Sequence, residues 1–218
     1  MKIILSAAAM IAAASPLMAQ QFTGGELGFE YNQLLDDGDI DGTNYYAGAE
    51  MGFTRDVSVG VNIVNLDFSG EDTRATLHGI YHLNEMSSVG LFVAGGDSDT
   101  KSYGIEGGME LFGGDIGGYI GQISNDDDEA LIVGLSSNTP IGAGFTFFTD
   151  FDIVADDAVA VSTNEIGVEY TIAGGPDLFA QVGRIDLDTT AGDGSTDYIG
   201  VGARIEFGAA RGTTFEGR

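Results

Sequence analysis

From Thr43 to Phe53 apolar and polar side chains alternate one by one. Tyr45, Ala47, Ala49, Met51 and Phe53 fall on one face, and Asn44, Tyr46, Gly48, Glu50 and Gly52 on the other. A period of two belongs to a strand, whose successive side chains point to opposite faces. The alternation resumes after Thr54-Arg55-Asp56, with Val57, Val59, Val61 and Ile63 opposite Ser58, Gly60, Asn62 and Val64. The same rule predicts further strands over 24–34, 73–83, 88–96, 101–112, 115–124, 130–136, 142–153, 163–172, 178–188 and 197–207. That makes about twelve, most of them close to the ~9–11 residues a tilted strand needs to cross a bilayer. In 115–124 and 178–188 either face fits the core.

The connections are of two kinds, and they alternate. One set is acidic: Asp36-Asp37-Gly38-Asp39, Ser69-Gly70-Glu71-Asp72, Asp97-Ser98-Asp99, Asn125-Asp126-Asp127-Asp128-Glu129, Asp156-Asp157 and Ala191-Gly192-Asp193-Gly194. The other is turn chemistry with few acids: Thr54-Arg55-Asp56, Asn84-Glu85-Met86-Ser87, Gly113-Gly114, Ser137-Asn138-Thr139-Pro140 and Gly174-Gly175-Pro176-Asp177. An up-and-down meander with one end outside and the other in the periplasm has this asymmetry.

A soluble sandwich also consists of short alternating strands. Here, however, the strands are long and even, and their polar faces carry acids and glycines with no apolar cover. That inverted arrangement suits a membrane barrel, whose apolar face meets lipid, whose polar face meets a wet lumen, and whose closure leaves no unpaired edge. The expected fold is all-β, a transmembrane antiparallel barrel. Phe53, Tyr81, Phe145, Tyr170 and Phe207 mark an aromatic girdle near the turn ends.

Composition narrows the functions. Gly is 35 and Pro only 3, so the glycines, set within alternating segments, are no disorder or collagen signature. With 34 acids against 8 Lys plus Arg, the formal charge is -26, which excludes nucleic acid as a partner because phosphate binding needs a basic surface. Lys2, the apolar run Ile3 to Ala14 and Ser15-Pro16-Leu17-Met18-Ala19 read as an export signal cut after Ala19. The expected organisation is a signal peptide over 1–19, a barrel over 20–207 and a tail over 208–218. No Cys is present to form a disulfide or carry a lipid.

Sites of chemistry are few. His78 and His82 share a strand face but sit roughly 13 Å apart, too far to chelate one ion together, and read as polar lumen residues. His82 and Ser87 lie at the periplasmic side, away from the outer rim where a lipase-type barrel needs its Ser and His, so no catalytic residue is assigned. Asp37, Asp39, Asp41 and Gly42 match the start of a calcium loop, but Gly48 stands where the bidentate Glu belongs. Gly113-Gly114 and Gly117-Gly118 lack the spacing and the Lys of a phosphate loop, and Gly117, Gly118 and Gly121 around Tyr119 read as bending positions of a closed sheet. No cofactor is expected.

By alternation Glu26, Glu30, Glu50, Glu106, Glu110, Glu165 and Glu169 fall on the lumen face, with Arg74, Arg204 and Glu206 beside them. These are the candidate pore-lining residues. The segment Gly200-Val201-Gly202-Ala203-Arg204-Ile205-Glu206-Phe207 has the Gly, apolar and terminal aromatic pattern of the strand that the barrel assembly machinery reads. With the signal peptide, the acidic loops and the tail Arg211-Gly212-Thr213-Thr214-Phe215, the chain resembles alphaproteobacterial porins of the Gram-negative porin superfamily in a short form. The resemblance implies an outer-membrane channel for ions or small polar solutes. The general porins of that group are larger and fold a long third loop into the lumen, whereas Gly96 to Thr100 is too short for that, and eleven residues follow Phe207. The excess of lumen acids suggests cation preference. The rival reading is a plugged structural or surface-interaction barrel that conducts nothing. Expected partners are outer-membrane lipid and lipopolysaccharide, the latter through Ca or Mg ions on the acidic loops.

Overall fold

The computed structural model describes residues 21–36, 40–67, 72–97, 99–125, 128–208 and 213–215. The expected signal peptide over 1–19, Asp37 and Asp39 of the calcium-like motif and parts of the acidic loops lie outside the described residues, whereas Asp41 and Gly42 begin a strand. Twelve strands follow one another: β1 (Gln21–Leu34), β2 (Asp41–Gly52), β3 (Val57–Leu66), β4 (Asp72–Asn84), β5 (Ser87–Gly96), β6 (Lys101–Leu111), β7 (Gly114–Ser124), β8 (Glu129–Gly142), β9 (Phe145–Ala155), β10 (Val159–Thr171), β11 (Asp177–Thr189) and β12 (Gly192–Phe207). Each pairs antiparallel with its sequence neighbours, and β1 pairs with β12, from Gly25 opposite Phe207 to Leu34 opposite Tyr198, to close the barrel. Closure satisfies the backbone donors and acceptors that an open edge would leave bare in lipid.

The burial pattern is inside out. Leu27, Leu77, Leu91, Val93, Ile105 and Ile166 are exposed on the outer wall, while Glu26, Asn32, Glu50, Asn62, His78 and Glu106 are buried within. Only an apolar surrounding makes the first set favourable, since leaving such side chains in water forfeits about 1.5–3 kcal/mol each. The two ambiguous strands are settled by closure. In β7 Ile116 and Ile120 face out and Tyr119 in; in β11 Leu178 and Val182 face out and Gln181 in. The five aromatics of the expected girdle all lie on the outer wall near the turn end, where Phe145 meets Tyr170 at 4.8 Å between ring centroids and Phe22 stacks on Phe207 at 5.8 Å.

Two connections differ from the sequence reading. Ser137-Asn138-Thr139-Pro140 is strand, not turn. β8 runs on to Gly142 with a register shift between Pro140 and Gly142, and the turn is made by Gly142, Ala143 and Gly144 at φ 99°, 55° and 81°. Proline, which has no N–H to give to a ladder, is tolerated at such an irregularity. Asp193 and Gly194 also belong to a strand, opposite Asp188 and Leu187, so that only Thr190 and Ala191 link β11 to β12. At the acidic end, the β9–β10 turn is closed by Asp156, whose Oδ1 accepts from the amides of Ala158 (2.6 Å) and Val159 (2.8 Å). These bonds to the charged form hold its carboxyl below the usual carboxylate range.

No helix among the described residues is long and apolar enough to cross a membrane. The strands are what cross. The mature chain should therefore give β-rich circular dichroism in detergent and migrate faster on a gel unboiled than boiled. A monomer folded in plain buffer would contradict the inverted wall.

Candidate functional site

Inward side chains of the twelve strands border two spaces. The one toward the acidic loops has a volume of about 560 Å³ and carries Glu26, Glu30, Asp150, Asp152, Glu165 and Glu169 against only Arg74 and Arg204. Arg204 donates from Nη2 to Glu169 Oε2 at 2.6 Å and faces Glu206 at 3.3 Å, so its charge is taken up locally. Arg74 is drawn to Asp72 at 3.4 Å. Neutral donors serve other acids: Gln181 Nε2 donates to Glu30 Oε1 (2.9 Å), Tyr119 Oη to Asp152 Oδ1 (2.5 Å), and Tyr198 Oη to Glu165. A hydroxyl or amide donor orients a carboxylate without cancelling its charge.

The second space, about 1190 Å³, opens toward the turns and includes Arg55, His82, Glu85, Glu110, Asp115 and Glu206. It shares Glu26, Asn138 and Arg204 with the first, so the two meet at that level. Thr213, Thr214 and Phe215 of the C-terminal tail also form part of its wall. Phe215 is buried, with its ring 6.3 Å from that of His78.

Six Phe and Tyr rings of the strands turn inward, and each sits directly across from a glycine on an adjacent strand. Tyr46 pairs with Gly28, Phe92 with Gly104, Tyr119 with Gly134, Phe148 with Gly167, Phe179 with Gly202 and Tyr198 with Gly183. A Cβ at any of these glycines would overlap the ring opposite. With hydrogen there instead, the ring lies flat along the wall. This is how six aromatic side chains share the lumen without filling it. At Gly121 the neighbouring strand also approaches closely: a Cβ there would lie 2.4 Å from the Tyr103 carbonyl oxygen and 3.0 Å from the Phe92 ring.

Of the candidate pore-lining residues, Glu26, Glu30, Arg74, Glu165, Glu169 and Arg204 line the loop-side space, and Glu110 lines the turn-side space. Glu50 and Glu106 also point inward but are buried in the wall, at 3% and 5% exposure. Glu50 accepts from Thr23 Oγ1 (3.3 Å), Ser58 Oγ (2.8 Å) and the Thr214 amide (2.9 Å), and Glu106 Oε1 lies 2.7 Å from His78 Nδ1. Asp150 and Asp152 were missed among the aromatics of Phe145–Ala155. Strict alternation from Phe145 outward, checked by Phe147 outside, assigns both acids to the lumen. Nothing local points to the inward tail.

Ser58 Oγ lies 2.9 Å from His82 Nε2, a distance that suits a nucleophile and its base. Ser58 Oγ also donates to Glu50 Oε1 at 2.8 Å, and His82 Nδ1 meets Ser88 Oγ at 2.8 Å, so both groups are held in a wall network at the turn end. Among the described residues no three His, Asp or Glu converge as metal ligands.

No protein-family model matches the sequence, and no curated protein matches it. Solved structures do. The KdgM porin superposes with a TM-score of 0.59 at 10% identity over 82% of this chain and 97% of its own. The NanC porin gives 0.61 at 10% identity over 81% and 98%. The COG4313 outer membrane channel from Pseudomonas putida F1 gives 0.55 at 13% identity over 89% and 97%. The fold is that of outer-membrane channel barrels. Together with the apolar outer belt, it makes this chain a bacterial outer-membrane β-barrel. The KdgM porin is also among the similar structures in complex with disordered oligogalacturonate.

Proposed function

We propose that this barrel is a channel for passive diffusion of ions and small polar solutes across the outer membrane, with a preference for cations. The observation that carries the reading is the sign of the loop-side space, where six carboxyl side chains stand against two guanidinium groups. In a narrow water-filled tube an excess of one sign raises the local concentration of the opposite ion. Described acids at the loop end, among them Asp36, Asp67, Asp97, Asp99, Asp128 and Asp157, extend the negative potential to the mouth. An acidic oligosaccharide of the oligogalacturonate kind would be repelled by such a lumen. The resemblance of the terminal strand to that of alphaproteobacterial porins points the same way, and Gly200 to Phe207 is the segment the barrel assembly machinery would read.

Divalent Ca or Mg ions between these acidic loops and anionic lipopolysaccharide would seat the loop end in the outer leaflet. This orientation puts both termini in the periplasm. An epitope placed between Asp126 and Asp127 should be labelled on intact cells, and one between Gly174 and Gly175 should not; the reverse pattern would invert the barrel.

Planar-bilayer recording of the purified protein in a KCl gradient tests the function directly. The reversal potential should have the sign of a K⁺-preferring pore. The opposite sign would refute the charge argument, and silence would favour the rival, a barrel plugged for a structural or surface role. The specific observation in that rival's favour is the tail inside the lumen.

A further inference from the structure

From the tail's contacts we infer that residues 213–215 form a tethered, displaceable plug that narrows the channel from the turn end. The inference rests on the channel reading above. The loop after β5 is too short to enter the lumen, and no other described loop is seen there. The tail enters instead, and it docks on one side only.

Four consecutive strands receive it. Thr213 Oγ1 donates to Glu26 Oε1 of β1 at 2.9 Å, the Thr214 amide donates to Glu50 Oε2 of β2 at 2.9 Å, and Asn62 Nδ2 of β3 donates to the Phe215 carbonyl at 2.7 Å. The Phe215 ring meets His78 of β4 and comes to rest over glycines of β5 and β6. A Cβ at Gly90 would lie 2.9 Å from the ring and one at Gly108 would lie 3.5 Å from it, so the pit exists because these positions have no side chain. An exposed phenylalanine in a polar lumen gains by entering such a pit, and the backbone bonds fix its depth.

The geometry has two consequences. The tail covers the β1 to β6 side and leaves the turn-side space beside it, so docking narrows the passage rather than sealing it. It also covers Glu50, whose Oε2 accepts from the Thr214 amide, which removes one of the predicted lumen acids from the conducting path while it is docked. Among the described tail residues, 213–215, the attachment consists of hydrogen bonds and one ring, none of them part of a strand pair, so it can leave with the sheet intact.

Single-channel conductance in symmetrical KCl tests this with three proteins: the mature chain, the chain ending at Gly208, and full-length Phe215→Ala. The shortened barrel should conduct about twofold more or better, because a wider lumen carries more current, and Phe215→Ala should fall between. A synthetic peptide of residues 209–218 added on the turn side should return the shortened channel to its native conductance. The same peptide with Phe215→Ala, or either peptide added on the loop side, should not. Equal conductance of all three folded proteins would overturn the plug and leave the channel reading standing, whereas silence in all three would overturn both. Should the shortened chain fail to fold, an unchanged conductance of Phe215→Ala is enough to refute the plug.

Discussion

A barrel carrying Asp150→Asn, Asp152→Asn and Glu165→Gln together should lose most of its cation preference in a KCl gradient while still conducting. The three replacements leave Glu26, Glu30 and Glu169 against Arg74 and Arg204 in the loop-side space, so that six carboxylates against two guanidinium groups becomes three against two. Asn and Gln keep an acceptor for Tyr119 and Tyr198, so the rings should stay on the wall and the effect should be one of charge alone. Salt separates this lumen term from the mouth. The Debye length falls from ~10 Å at 0.1 M to ~3 Å at 1 M, so the contribution of the loop acids fades while that of charges in the narrow part persists. Wild-type selectivity should weaken but survive at high salt, and the triple variant should keep almost none there. Replacing Glu106 and Glu110 by Gln should have a smaller effect, and nearly all of it should come from Glu110, because Glu106 is turned into the wall beside His78. An unaltered reversal potential in the triple variant would remove the loop-side acids from the mechanism.

The second large effect is expected at a residue with no charge. Gly134→Ala should sharply reduce conductance, because the new methyl would occupy the space of the Tyr119 ring directly across the strand pair and press on Asp152. The ring then has one way to go, off the wall and into the lumen. Crowding of this kind typically costs about 1–3 kcal/mol, so the unboiled, fast-migrating form should also unfold at a lower temperature. Adding Tyr119→Ala should restore conductance to at least the native level, since the methyl then has no ring to displace. If Gly134→Ala conducts normally, or the double variant conducts no better than the single, the glycines opposite the rings have no part in keeping the lumen open.

What the sequence determined alone was the wall. The side-chain period of a strand is two, and lipid tolerates no error of face, so Tyr45 and Glu50, or Val57 and Ser58, could be assigned to outside and inside from their neighbours alone. The same rule placed Glu26, Glu30, Glu165 and Glu169 on the lumen side and would have placed Asp150 and Asp152 there had it been carried strictly through the aromatic stretch of β9. Strand ends were less legible. Ser-Asn-Thr-Pro is turn chemistry, yet Pro140 sits in an irregular strand end and the chain turns at Ala143 instead.

What only the tertiary structure decided was the content of the lumen. Closing the sheet put the end of the chain, 187 residues after Glu26, within hydrogen-bond distance of it. It turned Glu50 and Glu106 from apparent pore charges into buried partners of the tail and of His78. Alternation reports which face a residue occupies, and it is blind to what crosses the space in front of that face, because those contacts are made between segments far apart in sequence and are fixed only when the curvature of the barrel brings them together.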